Sequence, residues 1–329
     1  MKAPQIRTAI ALMTATLLCG CGGEHFQSVL HPASPEAGEI SRLWWFMLAV
    51  CGTVFVIVIA LLIVAIGRRG NRKPQAPGGD AKFVLIGGML IPGIILFVLL
   101  IYSISAKVVL TGDERNLTIQ VIGHQWWWEV RYPNQDIVIA NEIYIPVGEP
   151  VRLQLKSADV IHSFWVPNLH GKMDMLPEHI NTFWIRADKP GVYRGQCAEF
   201  CGAQHAWMAF EVVALSTNDF QQWVSERRKL AVEQVASAER KFSHEVYMRV
   251  GCGQCHAIKG TSAVAQIGPD LTHFGSRRTI GAGLMTNNTE TLTRWILAPQ
   301  KMKPGNLMPH TKLTDEELQE LVAYLTSLK

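Results

Sequence analysis

Two unbroken apolar runs dominate the first third of the chain. Leu43 to Ile66 and Phe83 to Ala106 each hold about 24 residues without an Asp, Glu, Lys, Arg or His. At ~1.5 Å of rise per residue, each is long enough as a helix to cross a hydrocarbon core of ~30 Å. A buried helix of a soluble protein would carry polar residues along one side, so the pattern predicts two transmembrane helices. From Leu117 to about Leu215 the rhythm changes to short alternating segments, "LTIQV", "DIVIA", "VRLQL", "NTFWI" and "AFEVVAL". Turn signals such as Val147-Gly148-Glu149-Pro150 and Lys189-Pro190-Gly191 separate them, which predicts an all-β sandwich or barrel. The stretch from Asn218 to about Val250 is polar and helical in pattern and reads as a linker. Beyond it, Thr314-Asp315-Glu316-Glu317 forms a capping box ahead of Leu318, Leu321, Val322 and Leu325, so the chain ends in a small α-helical domain.

Composition agrees with a partly membrane-embedded, multidomain protein: 329 residues, 48% hydrophobic, with a mean hydropathy of +0.13. The net charge of +4, from 31 basic and 27 acidic side chains, is too mild to argue for nucleic acid. Its placement is more telling. Arg68, Arg69, Arg72, Lys73 and Lys82 face only Asp80 between the two apolar runs, which puts that loop in the cytoplasm and everything after Ala106 outside. Lys2, Arg7, the apolar stretch Ala9 to Leu18 and then Leu18-Cys19-Gly20-Cys21 follow the order of a secretory leader. Leu18 to Cys21 also resembles the lipobox of bacterial lipoproteins, which implies lipidation of Cys21. The expected layout is a leader over 1–20, an external segment over 21–42, membrane helices over 43–66 and 83–106 flanking a basic loop at 67–82, a β domain over 107–217, a helical linker over 218–237 and a helical domain over 238–329.

Two motifs carry chemistry. Cys252-Gly-Gln-Cys255-His256 is the attachment signature of c-type haem, in which two thiols form thioethers and the adjacent histidine reaches the iron. Met308 in "GNLMPH" is the candidate for the opposite axial position, with Met302 as its rival. The stretch "GQCAEFCGAQHAWM" packs Cys197, Cys201, His205 and Met208 into twelve positions. Thiolate, imidazole and thioether suit copper far better than magnesium or calcium, and two thiolates can bridge two copper ions. His162 in "DVIHSFW" can supply a second imidazole. A structural disulfide between Cys197 and Cys201 is the plain alternative in an oxidising compartment.

"GHQWWWEV", "DVIHSFWVPNLHGKMDMLP" and "GQCAEFCGAQHAWM" resemble subunit II of haem-copper cytochrome c oxidase, and the fused "CGQCH" domain resembles the bacterial caa-type subunit. The resemblance implies a cupredoxin-like Greek-key domain followed by an all-α class I cytochrome c domain. It implies a binuclear CuA centre held by His162, Cys197, the Glu199 carbonyl, Cys201, His205 and Met208, with the Glu199 side chain on a magnesium at the contact with subunit I. Trp126 would receive electrons for CuA, while Trp127 and Trp128 are as readily explained by core packing. Implied partners are subunits I and III, and a soluble or membrane cytochrome c or the cytochrome bc complex as donor. The location would be the bacterial plasma membrane, with the copper and haem domains on the periplasmic face. The oxygen chemistry would belong to the partner, since the two spans contain no His to ligate a haem and no Asp, Glu, Lys or Arg to carry protons. Two departures stand out. The family's "E..WT..P" reads here as Leu85 to Pro92, with Leu85 in the glutamate position. Carboxylates between "GHQWWWEV" and His162 are few: Asp136, Glu142, Glu149 and Asp159. Other readings are a CuA subunit of a different respiratory reductase, such as one acting on nitrogen oxides, and a copper-free quinol-oxidase type of subunit II.

Overall fold

The computed structural model describes residues 27–68, 79–105, 117–228 and 238–329. The leader, Cys21, three of the basic-loop residues (Arg69, Arg72 and Lys73) and residues 229–237 lie outside the described residues. Helix α1, Pro35–Gly67, starts ahead of the apolar run that predicted it. Ser34 caps it by accepting the Ala37 N–H at 3.0 Å, and Pro35 sits at the start, where a missing N–H breaks no helical bond. The early turns pack on the β domain: Glu36, Ala37 and Ser41 are buried, and the Ala33 N–H donates to Asn168 O at 2.8 Å. The Ser34 hydroxyl donates to Leu169 O. The N-terminal end of the first apolar helix is thereby fastened to the β domain.

The second span is built from α2 (Gly79–Leu85), a π-helical stretch (Ile86–Leu90) and α3 (Ile91–Ser105). Pro92 has no N–H for the preceding turn, and the helix widens just before it. Both spans pass as membrane helices by length and hydropathy, and the chain itself buries none of their apolar core stretches. Their hydroxyls close on their own backbone, Thr53 to Ala49 O and Ser105 to Ile101 O, each at 2.8 Å. Groups shielded from water require this.

The β domain is a sandwich of ten strands: β1 (Thr118–His124), β2 (Trp127–Tyr132), β3 (Ile137–Ala140), β4 (Glu142–Pro146), β5 (Val151–Ser157), β6 (His162–Trp165), β7 (Met173–Met175), β8 (Asn181–Ile185), β9 (Gly191–Cys197) and β10 (Ala209–Leu215). One sheet runs β3-β2-β1-β5-β8 and the other β4-β10-β9-β6-β7. The β1–β5 and β4–β10 pairs are parallel and the rest antiparallel. Trp128, Phe164 and Phe210 meet in the core, with Trp128 and Phe210 rings 4.8 Å apart. Alternation marked β1, β3, β5, β8 and β10 in the sequence. It was silent for β4, which is buried at every position, and for β2, buried at most of them.

The polar stretch expected to be a linker begins as α4, Thr217–Arg227, capped by Ser216. Phe220 and Trp223 turn inward, and Trp223 stacks on Tyr144 at 4.5 Å between ring centroids. This helix therefore closes the sandwich and belongs to it.

The C-terminal domain comprises α5 (Ala238–Arg249), a two-stranded ribbon of β11 (Thr279–Ile280) and β12 (Met285–Thr286), α6 (Thr289–Leu297), α7 (Pro299–Met302) and α8 (Asp315–Ser327). Its core gathers Tyr247, Leu292, Ile296, Leu321 and Leu325. The capping box of α8 forms with both reciprocal bonds, Glu317 N–H to Thr314 Oγ1 at 3.2 Å and Thr314 N–H to Glu317 Oε2 at 2.9 Å. The domain docks on the sandwich as well as following it in sequence. Arg278 donates its N–H to Glu142 at 2.6 Å and its Nε to Glu211 at 2.8 Å. The Ala209 N–H reaches Ala282 O at 3.0 Å.

Candidate functional site

The segment joining β9 to β10 brings the soft donors together. The Cys197 N–H donates to Met208 O at 2.9 Å, carrying the strand ladder one pair further and tying the two ends of the loop. Inside the loop, Cys201 O accepts from Gln125 Nε2 at 2.7 Å and from the Trp126 indole at 3.0 Å. Gly202 has a φ of +110°, and a methyl group there would lie 3.1 Å from the Trp126 ring, so the tight return past Trp126 needs glycine. A 3₁₀ turn over His205–Trp207 then brings His205 back. Pairing of β6 with β9, Phe164 opposite Cys197, delivers His162 from the neighbouring strand.

The donors converge closely. The two sulfurs are 3.8 Å apart as free thiols, so the disulfide alternative is not formed. His162 Nδ1 is 3.8 Å from Cys197 Sγ, His205 Nδ1 is 3.7 Å from Cys201 Sγ, and Met208 Sδ is 3.8 Å from Cys201 Sγ. The carbonyl of Glu199 is 3.1 Å from Cys197 Sγ. His162, Cys197, Cys201 and Met208 are all buried.

Asp159 sets the state of this cluster. Its Oδ1 is 2.8 Å from His162 Nε2, and a carboxylate can only accept, so Nε2 carries the proton and the Nδ1 lone pair faces the sulfurs. The N–H groups of Gln125 and Val160 also donate to it, each at 2.7 Å. Burial alone would raise the Asp159 pKa, but the bonds from His162 and these two amides outweigh it and lower the value. Burial opposes charge on His162 too, yet Asp159 and Cys197 together raise its pKa. The Cys197 thiol is pushed well down, first by the bond from Cys201 and then, against burial, by His162 and backbone contacts. A readily ionised sulfur beside a second sulfur, two imidazoles and a thioether fits a soft or borderline ion, copper foremost.

A second site lies in the C-terminal domain, in a cleft of about 210 Å³ that is partly open to solvent. Cys252, Cys255, His256 and Met308 all line it, with Trp295 and Leu321 among its apolar walls; Met302 does not line it. His256 Nδ1 donates to Pro269 O at 2.7 Å, which leaves Nε2 as the lone-pair nitrogen. Gly268 lies against that ring: a methyl group there would sit 2.5 Å from His256 Cε1. An oriented imidazole, two thiols and a thioether around an apolar slot fit covalently attached haem.

Comparison with known proteins identifies the domains that hold the two clusters. Residues 136–215 match the family described as cytochrome c oxidase subunit II, periplasmic domain, and residues 244–329 match cytochrome c. Cytochrome c oxidase subunit 2 of Alkalihalophilus pseudofirmus is 36% identical over 327 residues, spanning 95% of this chain and 94% of that one. The chain belongs to the cytochrome c oxidase subunit 2 family. The subunit 2 of a Bacillus species, strain PS3, is 32% identical over 347 residues, covering 96% and 95% of the two chains. A solved periplasmic domain of subunit II from Bradyrhizobium japonicum is 32% identical, covering 37% of this chain and 97% of that chain with a TM-score of 0.34.

Within this subunit 2 chain the three tryptophans separate by environment. Trp126 bonds Cys201 O and faces the cleft of the C-terminal domain. Trp127 stacks on His124 at 4.3 Å. Trp128 is fully buried, with its indole N–H 3.4 Å from Met208 O. The Glu199 side chain points away from the sulfurs to Lys172 at 3.2 Å. The sequence reading missed Asp159 as the partner of His162, although its place three residues earlier was a usable signal, and it missed Gln125 and Lys303, which carried none. Replacing Asp159 with Ala should weaken copper binding by ~10–100-fold, as loss of an outer-shell partner does. Chelator competition on the full chain measures this, and an unchanged affinity would show that Asp159 does not orient His162.

Proposed function

We propose that this chain is the electron-input subunit of a terminal oxidase: electrons arrive from a cytochrome c donor at a covalent haem c and a binuclear copper centre, and leave to an oxygen-reducing, proton-translocating subunit I. The observation that carries the reading is the convergence of two free, buried thiols, two imidazoles and a thioether in the same chain as a cleft lined by Cys252, Cys255, His256 and Met308. Cys197, Cys201, His162, His205, Met208 and the Glu199 carbonyl would hold the copper. Cys252 and Cys255 would carry the haem, and His256 and Met308 would supply its nitrogen and sulfur ligands. When bound, these groups supply one-electron redox chemistry tuned by sulfur ligands.

The chain's own residues then have distinct jobs. Asp159 fixes the His162 tautomer, and the ladder bond between Cys197 and Met208 keeps the loop closed. Trp126 links the copper loop to the side facing the haem cleft. The outward Glu199 carboxylate is the proposed magnesium ligand toward subunit I. The two apolar helices, with lipid on Cys21, anchor the unit so that both redox domains stand on the periplasmic face of a bacterial plasma membrane. Subunit III and a cytochrome bc complex complete the proposed partners. Leu85 removes the carboxyl that the family places at the start of the second span, so proton uptake would be left to the partner subunits.

In the intact oxidase, Cys201→Ser should abolish oxygen uptake driven by the cytochrome donor while haem c on this chain is still reduced at its normal rate. Uptake at the parental rate would overturn the reading. Met308→Ala should abolish the sulfur-to-iron absorption band and lower the haem potential, because thioether ligation favours the reduced iron. Met302→Ala should do neither; the reverse result would make Met302 the ligand.

A further inference from the structure

Lys303 follows α7 on the loop leading to Met308, and its side chain enters the junction between the two domains. It is only 3% exposed and lines the same cleft as His256 and Met308. An ammonium has three protons to donate, and three carbonyls receive them: Trp207 O at 2.8 Å, Gly281 O at 2.9 Å and Trp126 O at 3.2 Å. Gly281 belongs to the haem domain, like Lys303 itself. The other two belong to the copper domain and bracket its loop, since Trp126 bonds Cys201 O and Trp207 lies between His205 and Met208. No carboxylate is among these partners. Burial moves the Lys303 pKa down to about 8, which still leaves the side chain mostly charged at neutral pH. A buried cation is costly unless its donors are satisfied, and an apolar side chain could have filled the space without that cost. Nearby contacts run the same way: the Gln204 amide donates to Pro304 O, and the Ala209 N–H to Ala282 O at 3.0 Å.

We infer that Lys303 is a positioning residue for electron transfer within the chain, pinning the Met308 loop of the haem domain to the Trp126 and Trp207 carbonyls so that the two redox sites are held in one fixed dock. This rests on the proposed electron-input function. In the step it serves, one electron leaves the ferrous haem and is gained by the oxidised copper pair, with no bond made and no proton moved. The rate therefore depends on how closely and constantly the sites are held.

The test uses the full chain loaded with haem and copper. Lys303→Met, which keeps the length and removes the charge and the donors, is compared with Lys303→Arg, whose planar fork cannot meet three converging carbonyls. Lys259→Met is the control: it removes an exposed ion pair to Asp136 between the same two domains, of a kind that contributes little. Flash reduction of the haem gives the intrachain rate, and hydrogen exchange of the Ala209 amide reports the dock itself. Lys303→Met should slow transfer by about tenfold or more, the scale on which small misplacements act. It should also make the rate viscosity-dependent and speed Ala209 exchange, with the spectrum of each centre unchanged. Lys303→Arg should shift in the same direction, and it decides the matter if Lys303→Met does not fold. Lys259→Met should match the parent. A parental rate and parental exchange in either folded Lys303 variant would overturn the inference, as would a changed redox potential with neither of them altered. If the parent chain itself passes no electron from haem to copper, the functional reading fails, while Ala209 exchange still decides whether Lys303 is the pin.

Discussion

Two buried thiols held 3.8 Å apart without a disulfide impose a condition on everything near them, because burying two weak acids side by side is unfavourable unless neighbours stabilise a thiolate. The surroundings meet that condition in layers. The Cys197–Met208 ladder bond closes the loop, and two donors from the β1–β2 turn hold the Cys201 carbonyl. Asp159 turns the His162 lone pair inward. Trp128, Phe164 and Phe210 shield the base of the loop from water. The sandwich thus supplies a preformed donor set whose geometry is fixed by backbone pairing.

The same strand that ends the metal loop begins the junction with the haem domain. Ala209, the first residue of β10, pairs with Gln196 and also donates to Ala282 in the C-terminal domain. Glu142 and Glu211, on the adjacent strands β4 and β10, both receive Arg278. The expected tether is therefore reinforced by a built interface, in which α4 closes the sandwich and Arg227 at its end donates to Ser276 of the C-terminal domain at 3.0 Å. Asp136, Glu142 and Glu211 of the sandwich all bond the C-terminal domain, the first through Lys259 and the other two through Arg278.

What could be read from the sequence was what is local. Cys197, Cys201, His205 and Met208 lie within one turn-rich loop, and Cys252, Cys255 and His256 within one short motif, so ligand chemistry alone exposed them. The two spans were legible because lipid demands uninterrupted apolarity, and β1 and β5 because one of their faces is polar. Where burial is nearly continuous, as in β4, alternation has nothing to show. Phe220 and Trp223 look like isolated apolar residues in a polar stretch until the sandwich they seal is present. Lys303 is a lysine among lysines in "KMKPG", and only the distant carbonyls of Trp126, Trp207 and Gly281 distinguish it.

The measurement that bears most directly on the central claim is a joint count of metals and electrons on the purified full chain, by elemental analysis and coulometric titration. Two bridging thiolates let a copper pair share a single unpaired electron. Full reduction should therefore take two electrons per chain, one at the iron and one at the copper pair, with two copper ions for each iron. One copper per iron, or three electrons per chain, would contradict a bridged binuclear site.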